Sequence, residues 1–159
     1  MTLQIDTLCR VKELHEQNRL RALRAKRAAA EAAAKEEATQ RRIVTESRDA
    51  LPGKEAALYD AIMRITVSVG DIDETKAKVL KAQEDHQKLE DEAERLTQIR
   101  LRREQERDEA RAQYQIAQRD TEKFVTIQAE YAAEQARAIE AQEDAEIEDL
   151  FTKGRGIVT

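Results

Sequence analysis

Leu51-Pro52-Gly53-Lys54-Glu55-Ala56-Ala57-Leu58-Tyr59-Asp60-Ala61-Ile62-Met63-Arg64-Ile65-Thr66-Val67-Ser68-Val69-Gly70-Asp71-Ile72 holds the only proline of the chain and two of its four glycines. Two breaks are legible in it. Proline is tolerated in the first turn of a helix and disrupts an interior. Leu51-Pro52-Gly53 therefore predicts the end of one helix and a new start at Pro52 or Lys54. Gly is a common helix stop, and Asp71 followed by Glu74 resembles a helix start, so Gly70-Asp71 predicts a second turn. Between the breaks, Leu58, Ile62, Ile65, Val69 and Ile72 recur at spacings of four, three, four and three, the richest large-apolar stripe in the sequence. Ile65–Val69 is β-branched, but a lone strand would have no sheet to join, which favours helix.

On either side of this segment lie long runs without Gly or Pro, from Leu3 to Ala50 and from Asp71 to Phe151. In the first, Leu8, Val11, His15, Asn18, Ala22, Ala25, Ala29 and Ala32 follow a three-four spacing, the signature of a coiled-coil seam, with His15 and Asn18 marring it. Ala28–Lys35 is strongly helix-forming and thin, so a partner helix can approach it closely. The second run needs a partner for stability at such a length. Its seam candidates are Ala110, Tyr114, Ala117, Thr121, Phe124, Gln128, Tyr131, Gln135 and Ala138. Gly154 and Gly156 are expected to end it, leaving a short tail.

Composition agrees. Of 159 residues, 38% are charged and 3% aromatic, and alanine is the largest single part of the 40% hydrophobic fraction. A typical domain is about 25% charged. This argues against a conventional core, a sheet protein and a membrane protein. It also argues against an enzyme, which needs a concave pocket that thin helices rarely provide. No apolar run approaches the ~20 residues of a bilayer span, and no signal peptide is seen at the start. The single Cys9 excludes an internal disulfide and fits a reducing cytoplasm.

The net charge of −5 hides a gradient. Residues 1–51 carry 11 basic and 8 acidic side chains, residues 52–103 carry 10 and 11, and residues 104–159 carry 7 and 14. Residues 10–27 hold seven basic side chains against Glu13 and Glu16, and residues 130–149 hold eight acidic ones against Arg137. A hairpin brings the basic start beside the acidic end, whereas a parallel homodimer stacks like charges. The expected fold is all-α: a long antiparallel two-helix coiled-coil hairpin. Arm one spans about 3–50, a short helix near the closed end about 54–69, arm two about 71–151, and a tail 152–159, all in one domain.

Motifs for chemistry are missing. His15 and His86 lie far apart and outside any HExxH pattern, the acidic run Glu143–Asp149 lacks the glycine and spacing of a calcium loop, and there is no phosphate-binding loop. No cofactor and no metal are expected. Arg19–Arg27 is basic, but the acidic total and the lack of a basic-arm layout place nucleic acid last among partners.

Leu8-Cys9-Arg10-Val11-Lys12-Glu13-Leu14 resembles the opening of the YscO-like proteins of type III secretion, counterparts of flagellar FliJ. Arg119-Asp120-Thr121-Glu122-Lys123-Phe124 is similar to that family's segment around a Lys-Phe pair in the returning helix. The acidic stretch Glu143–Asp149 leading to Leu150-Phe151 is a third likeness, and length and architecture agree over nearly the whole chain. Leu51–Lys78 gives no alignment. The resemblance implies a stalk like the central shaft of rotary ATPases. Such a stalk sits in the hexameric secretion ATPase, contacts the cytosolic ring of the export gate, and binds secretion chaperones or their cargo. It would be cytoplasmic and peripherally associated with the secretion apparatus.

Under that resemblance the open end would enter the ATPase through Arg10, Lys12, Arg19, Arg21 and Arg24. A competing expectation is that several of these pair within the chain with Glu140, Glu143 and Glu146. Leu58, Tyr59, Ile62 and Ile65 would face the export gate, or instead form a small local core. Lys123 and Phe124 carry the family motif, Phe124 and Tyr131 filling the seam. Two other readings compete: a generic coiled-coil scaffold, and a helical chaperone or adaptor with an apolar tip.

Overall fold

A computed structural model describes residues 2–155. They form two helices, α1 (Thr2–Met63, 62 residues) and α2 (Val69–Arg155, 87 residues), with no strand among the described residues. The chain divides into two compact units. One joins α1 up to Ala22 with α2 from Arg111; the other is Leu23–Ala110.

Within each unit the helices run antiparallel. In the first, the Cys9 thiol donates to the Phe124 carbonyl at 3.5 Å, Thr121 Oγ1 donates to the Lys12 carbonyl at 3.3 Å, and Gln128 donates to Asp6. In the second, Gln40 Nε2 donates to the Leu89 carbonyl at 3.1 Å, His86 Nδ1 meets Ser47 Oγ at 2.9 Å, and Gln83 Nε2 donates to Glu55 at 2.8 Å. The paired numbers add to 133 or 134 in the first unit (9 with 124, 12 with 121, 6 with 128) and to between 129 and 138 in the second (40 with 89, 47 with 86, 55 with 83).

The separate short helix expected over 54–69 is not present. α1 runs through Pro52 and Gly53 to Met63. Pro52 removes one backbone donor, but it and Arg48, whose carbonyl loses that partner, are both exposed. The seam also continues on both sides of it, through Ser47 with His86 before and Glu55 with Gln83 after. Packing on both flanks outweighs the local cost of proline. Arm one therefore ends near residue 63 rather than 50.

The turn falls slightly before Gly70-Asp71, and Ile65–Ser68 is neither strand nor helix. Ile65, Thr66 and Val67 are weak helix formers, and Ser68 is a strong N-cap. The Asp71 backbone N–H reaches Ser68 Oγ at 3.2 Å, while Asp71 Oδ2 accepts from the Ser68 N–H and hydroxyl, both at 2.8 Å. This reciprocal pair is a capping box that starts α2 at Val69. These bonds, the backbone one foremost, hold the Asp71 carboxyl below its ordinary range. Gly70 thus sits inside the first turn of α2 instead of stopping a helix. At the far end α2 passes through Gly154 to Arg155, with Lys153 and Arg155 placed to complement its negative pole. Gly156 and the rest of the predicted tail lie outside the described residues.

The α1 seam is displaced by one residue from the predicted line. Cys9, Leu23, Ala30 and Ala33 are buried and Lys12 and Lys26 half-buried, whereas Leu8, Val11, His15, Asn18 and Ala22 are exposed. One residue is a rotation of about 100° on a helix. His15 and Asn18 thereby leave the seam they would have marred. On α2, Ala117 is buried and Ala110, Tyr114, Thr121, Phe124, Gln128 and Tyr131 are half-buried, as the spacing predicts. Gln135 and Ala138 are exposed, because in this register no described residue of α1 lies opposite them. The core is thin: Leu23 is the only large side chain fully buried among the described residues, and the seam relies on alanines that let the backbones approach.

Candidate interaction surfaces

In the unit that holds the start of α1, Lys12 is the best-anchored of the predicted basic residues. Its ammonium lies 3.7 Å from Asp120 and 5.2 Å from the centre of the Phe124 ring. The ring face is electron-rich, so the cation gains from both neighbours. Phe124 is half-buried in the seam, and its backbone carbonyl receives the Cys9 thiol; Lys123 beside it is exposed. Arg10 and Arg21 are exposed and Arg19 is half-buried. Arg24, exposed, belongs to the other unit.

The expected pairing of these cations with Glu140, Glu143 and Glu146 does not occur: no ion pair among the described residues links the two sets. Of these five cations only Lys12 forms an ion pair among the described residues, with Asp120; in the other unit Lys26 pairs with Glu106. The reason is the register. With Cys9 at Phe124 and Lys12 at Thr121, the described start of α1 lies opposite residue 131, and every residue of α2 from 132 to 155 is exposed. The acidic segment thus runs past the described start of α1.

In the Leu23–Ala110 unit, Leu58 and Ile62 are half-buried, and Tyr59 and Ile65 are exposed, Ile65 by 64%. Met63 and Val69 are more open still, at 79% and 76%. The four predicted tip residues therefore divide into an inward pair on α1 and an outward pair. Leu58 and Ile62 pack inward, while Tyr59 and Ile65 are left on the surface.

Sequence reasoning missed Glu37. The residue is only 6% exposed, at a seam position. It accepts from Arg41 Nε at 2.8 Å, from Thr97 Oγ1 at 3.0 Å and from Arg100 Nε. Arg41 also donates to Thr97 at 2.9 Å, and Arg100 to Glu104 at 2.9 Å. Burial pushes the Glu37 carboxyl up, but the hydrogen bonds from Arg41, Thr97 and Arg100 and the charge of Arg100 prevail and hold it below its ordinary range. One signal was available: Glu37 falls on the three-four line through Leu23, Ala30 and Ala33.

No group of three or more His, Cys, Asp or Glu side chains among the described residues is placed to hold a metal ion, and no described helix is long and apolar enough to cross a membrane. The surface depressions are open and mix apolar with charged lining, as in that formed by Arg95, Gln98, Ile99, Leu101, Arg102 and Gln105.

Fold and surfaces define a helical-hairpin coiled-coil protein, whose exposed faces carry segregated charge and short apolar stripes around a thin, polar-pinned seam. The family model for type III secretion protein YscO matches residues 5–153, and the chain belongs to that family. The crystal structure of type III secretion protein YscO from Vibrio parahaemolyticus matches with a TM-score of 0.80, covering 93% of each chain at 20% identity, a likeness of fold. No curated protein matches the sequence significantly.

Proposed function

We propose that this chain is a stalk component of a type III secretion export apparatus, without catalytic activity of its own. In this reading it binds the hexameric secretion ATPase and the cytosolic ring of the export gate, promotes protein export, and escorts secretion chaperones. It works in the cytoplasm, peripherally attached to the apparatus. Membership of the YscO family over residues 5–153 carries the reading. The surfaces support it: Arg10 and Arg21 are exposed near the start of α1, and Tyr59 and Ile65 near the turn. Exposed charge suits reversible docking, since such contacts are weak singly and sensitive to salt.

The test is hydrolysis by the cognate secretion ATPase with and without added protein. Stimulation is expected for the wild type, with a clear loss for Arg10→Glu combined with Arg21→Glu. No stimulation, together with no complex on gel filtration, would remove the proposal.

One observation favours a second reading, that of an adaptor for apolar client segments: Met63, Ile65 and Val69 are all exposed around the turn. Under it, Met63→Asp with Ile65→Asp abolishes capture of apolar client chains, keeps helicity and leaves ATPase stimulation intact.

A further inference from the structure

Two exposed apolar stripes in the same unit share one spacing. On α1, Leu3, Val11 and Leu14 are exposed by 82%, 55% and 57%. On α2, Ile139, Ile147 and Leu150 are exposed by 56%, 50% and 72%. Each set is separated by eight residues and then three, so each forms a stripe about 16 Å long on one helix face. Their flanks carry opposite charge. Val11 sits between Arg10 and Lys12, and Ile147 between Glu146 and Glu148. In this alignment Glu13 against Asp149 is a like-charged match, and the exposed Leu8 and Phe151 fall outside the shared spacing, opposite Asp144 and His15.

The stripes cannot meet within one chain. The antiparallel register puts Leu3 opposite about residue 130, so Ile139 lies some nine residues, or about 13 Å, further along the axis. The helices also run in opposite directions there, whereas the matched order of the stripes calls for parallel alignment.

A second copy satisfies both conditions. When two copies meet end to end about a two-fold axis, the end of α2 in one runs beside, and parallel to, the start of α1 in the other. Leu3 then faces Ile139, Val11 faces Ile147, and Leu14 faces Leu150. Arg10 faces Glu146, while Lys12 stays on the intramolecular seam with Asp120 and the Phe124 ring. Two-fold symmetry uses each stripe once and leaves neither open, a closed isologous contact.

We propose that residues 132–155 of α2 form a self-association segment, which docks on the Leu3–Leu14 face of α1 in a second copy to give a two-fold end-to-end dimer. The surface covered includes Arg10, so the dimer competes with any partner bound there. This inference does not rest on the secretion reading.

The experiment is light scattering and sedimentation velocity on the full chain over a wide concentration range, since association follows mass action. The wild type is expected to reach a dimer mass. Ile147→Glu should weaken association at least about tenfold, a factor that corresponds to ~1.4 kcal/mol, with helicity unchanged. Arg10→Glu alone and Glu146→Arg alone should each weaken it, and the two together in one chain should restore it. A wild type that stays monomeric throughout overturns the proposal. So does a dimer indifferent to Ile147→Glu, or a double charge exchange no better than the single ones.

Discussion

Replacing Glu37 by Gln separates a structural ion cluster from a fortuitous one. The side chain keeps its size and loses its charge. In the wild type the residue is 6% exposed and its carboxylate accepts from Arg41, Thr97 and Arg100. A hydrogen bond to a charged group nets roughly 1.5–3 kcal/mol when well buried. Arg41 is 60% and Arg100 27% exposed, so solvent screens both, and the lower part of that range applies. Gln still accepts one or two of the bonds, which leaves an expected loss of about 1–3 kcal/mol. For a chain of this length each kcal/mol shifts Tm by about 2–4 °C, so the drop should be roughly 2–12 °C. Thermal unfolding followed by circular dichroism, at one protein concentration, reads it.

The pH profile adds a second readout. The Glu37 pKa is depressed in the folded protein, so below the ordinary value of 4.5 the unfolded chain binds more protons than the folded one. Its contribution is complete above 4.5 and is lost as pH falls through the folded pKa. The gap between wild type and Glu37→Gln must therefore close in acid. Equal stability at neutral pH, or a gap that stays constant or widens as pH falls, would refute the assignment.

Three further outcomes are expected. Pro52→Ala should raise Tm by several degrees, because an interior proline costs ~3 kcal/mol relative to alanine, and no gain would indicate a break at Leu51–Gly53 after all. Leu23→Ala should cost about 2–3 kcal/mol in chemical unfolding, while Leu8→Ala, exposed by 47%, should cost under ~1 kcal/mol; the reverse order would restore the seam predicted from the sequence alone. Ser68→Ala removes the cap of α2 and should cost about 1 kcal/mol, with the earliest loss of amide-exchange protection in Val69–Ile72.

The antiparallel helix pair was legible because its signals are long. Tens of residues of helix formers on each side of Leu51–Ile72, and a three-four repeat across Ala110–Tyr131, do not depend on any single position. The breaks were harder, because proline and glycine act locally while packing acts along the whole helix. Pro52 reads as a boundary only to an argument that omits Ser47 with His86 and Glu55 with Gln83. The charge argument reached the right fold through a wrong pairing: Arg10–Arg27 face the 106–124 region, not 140–146. Sorting the charges says that the ends differ; the position of the turn decides what faces what. Glu37 escaped notice because buried charges look from sequence like solvated ones until a partner such as Arg100, sixty-three positions away, is brought across the seam.

The one-residue displacement of the α1 seam has a consequence for binding. Rotation by about 100° places Cys9, Lys12, Leu23 and Lys26 between the helices and turns Leu8, Val11 and Leu14 outward. The inward line is poorer in large apolar groups than the outward one near the start of α1. It is viable because Lys12 finds Asp120 and the Phe124 ring, Cys9 finds the Phe124 carbonyl, and Lys26 finds Glu106. Alternation between the two lines would need only a rotation of α1, and these polar contacts are what such a rotation forfeits. The pins thus hold the apolar residues on the surface, where α2 beyond residue 131 presents a stripe of matching spacing. A seam chosen by hydrophobicity alone would have buried Leu8 and Val11 and left this end of the molecule with no apolar face to offer a second copy.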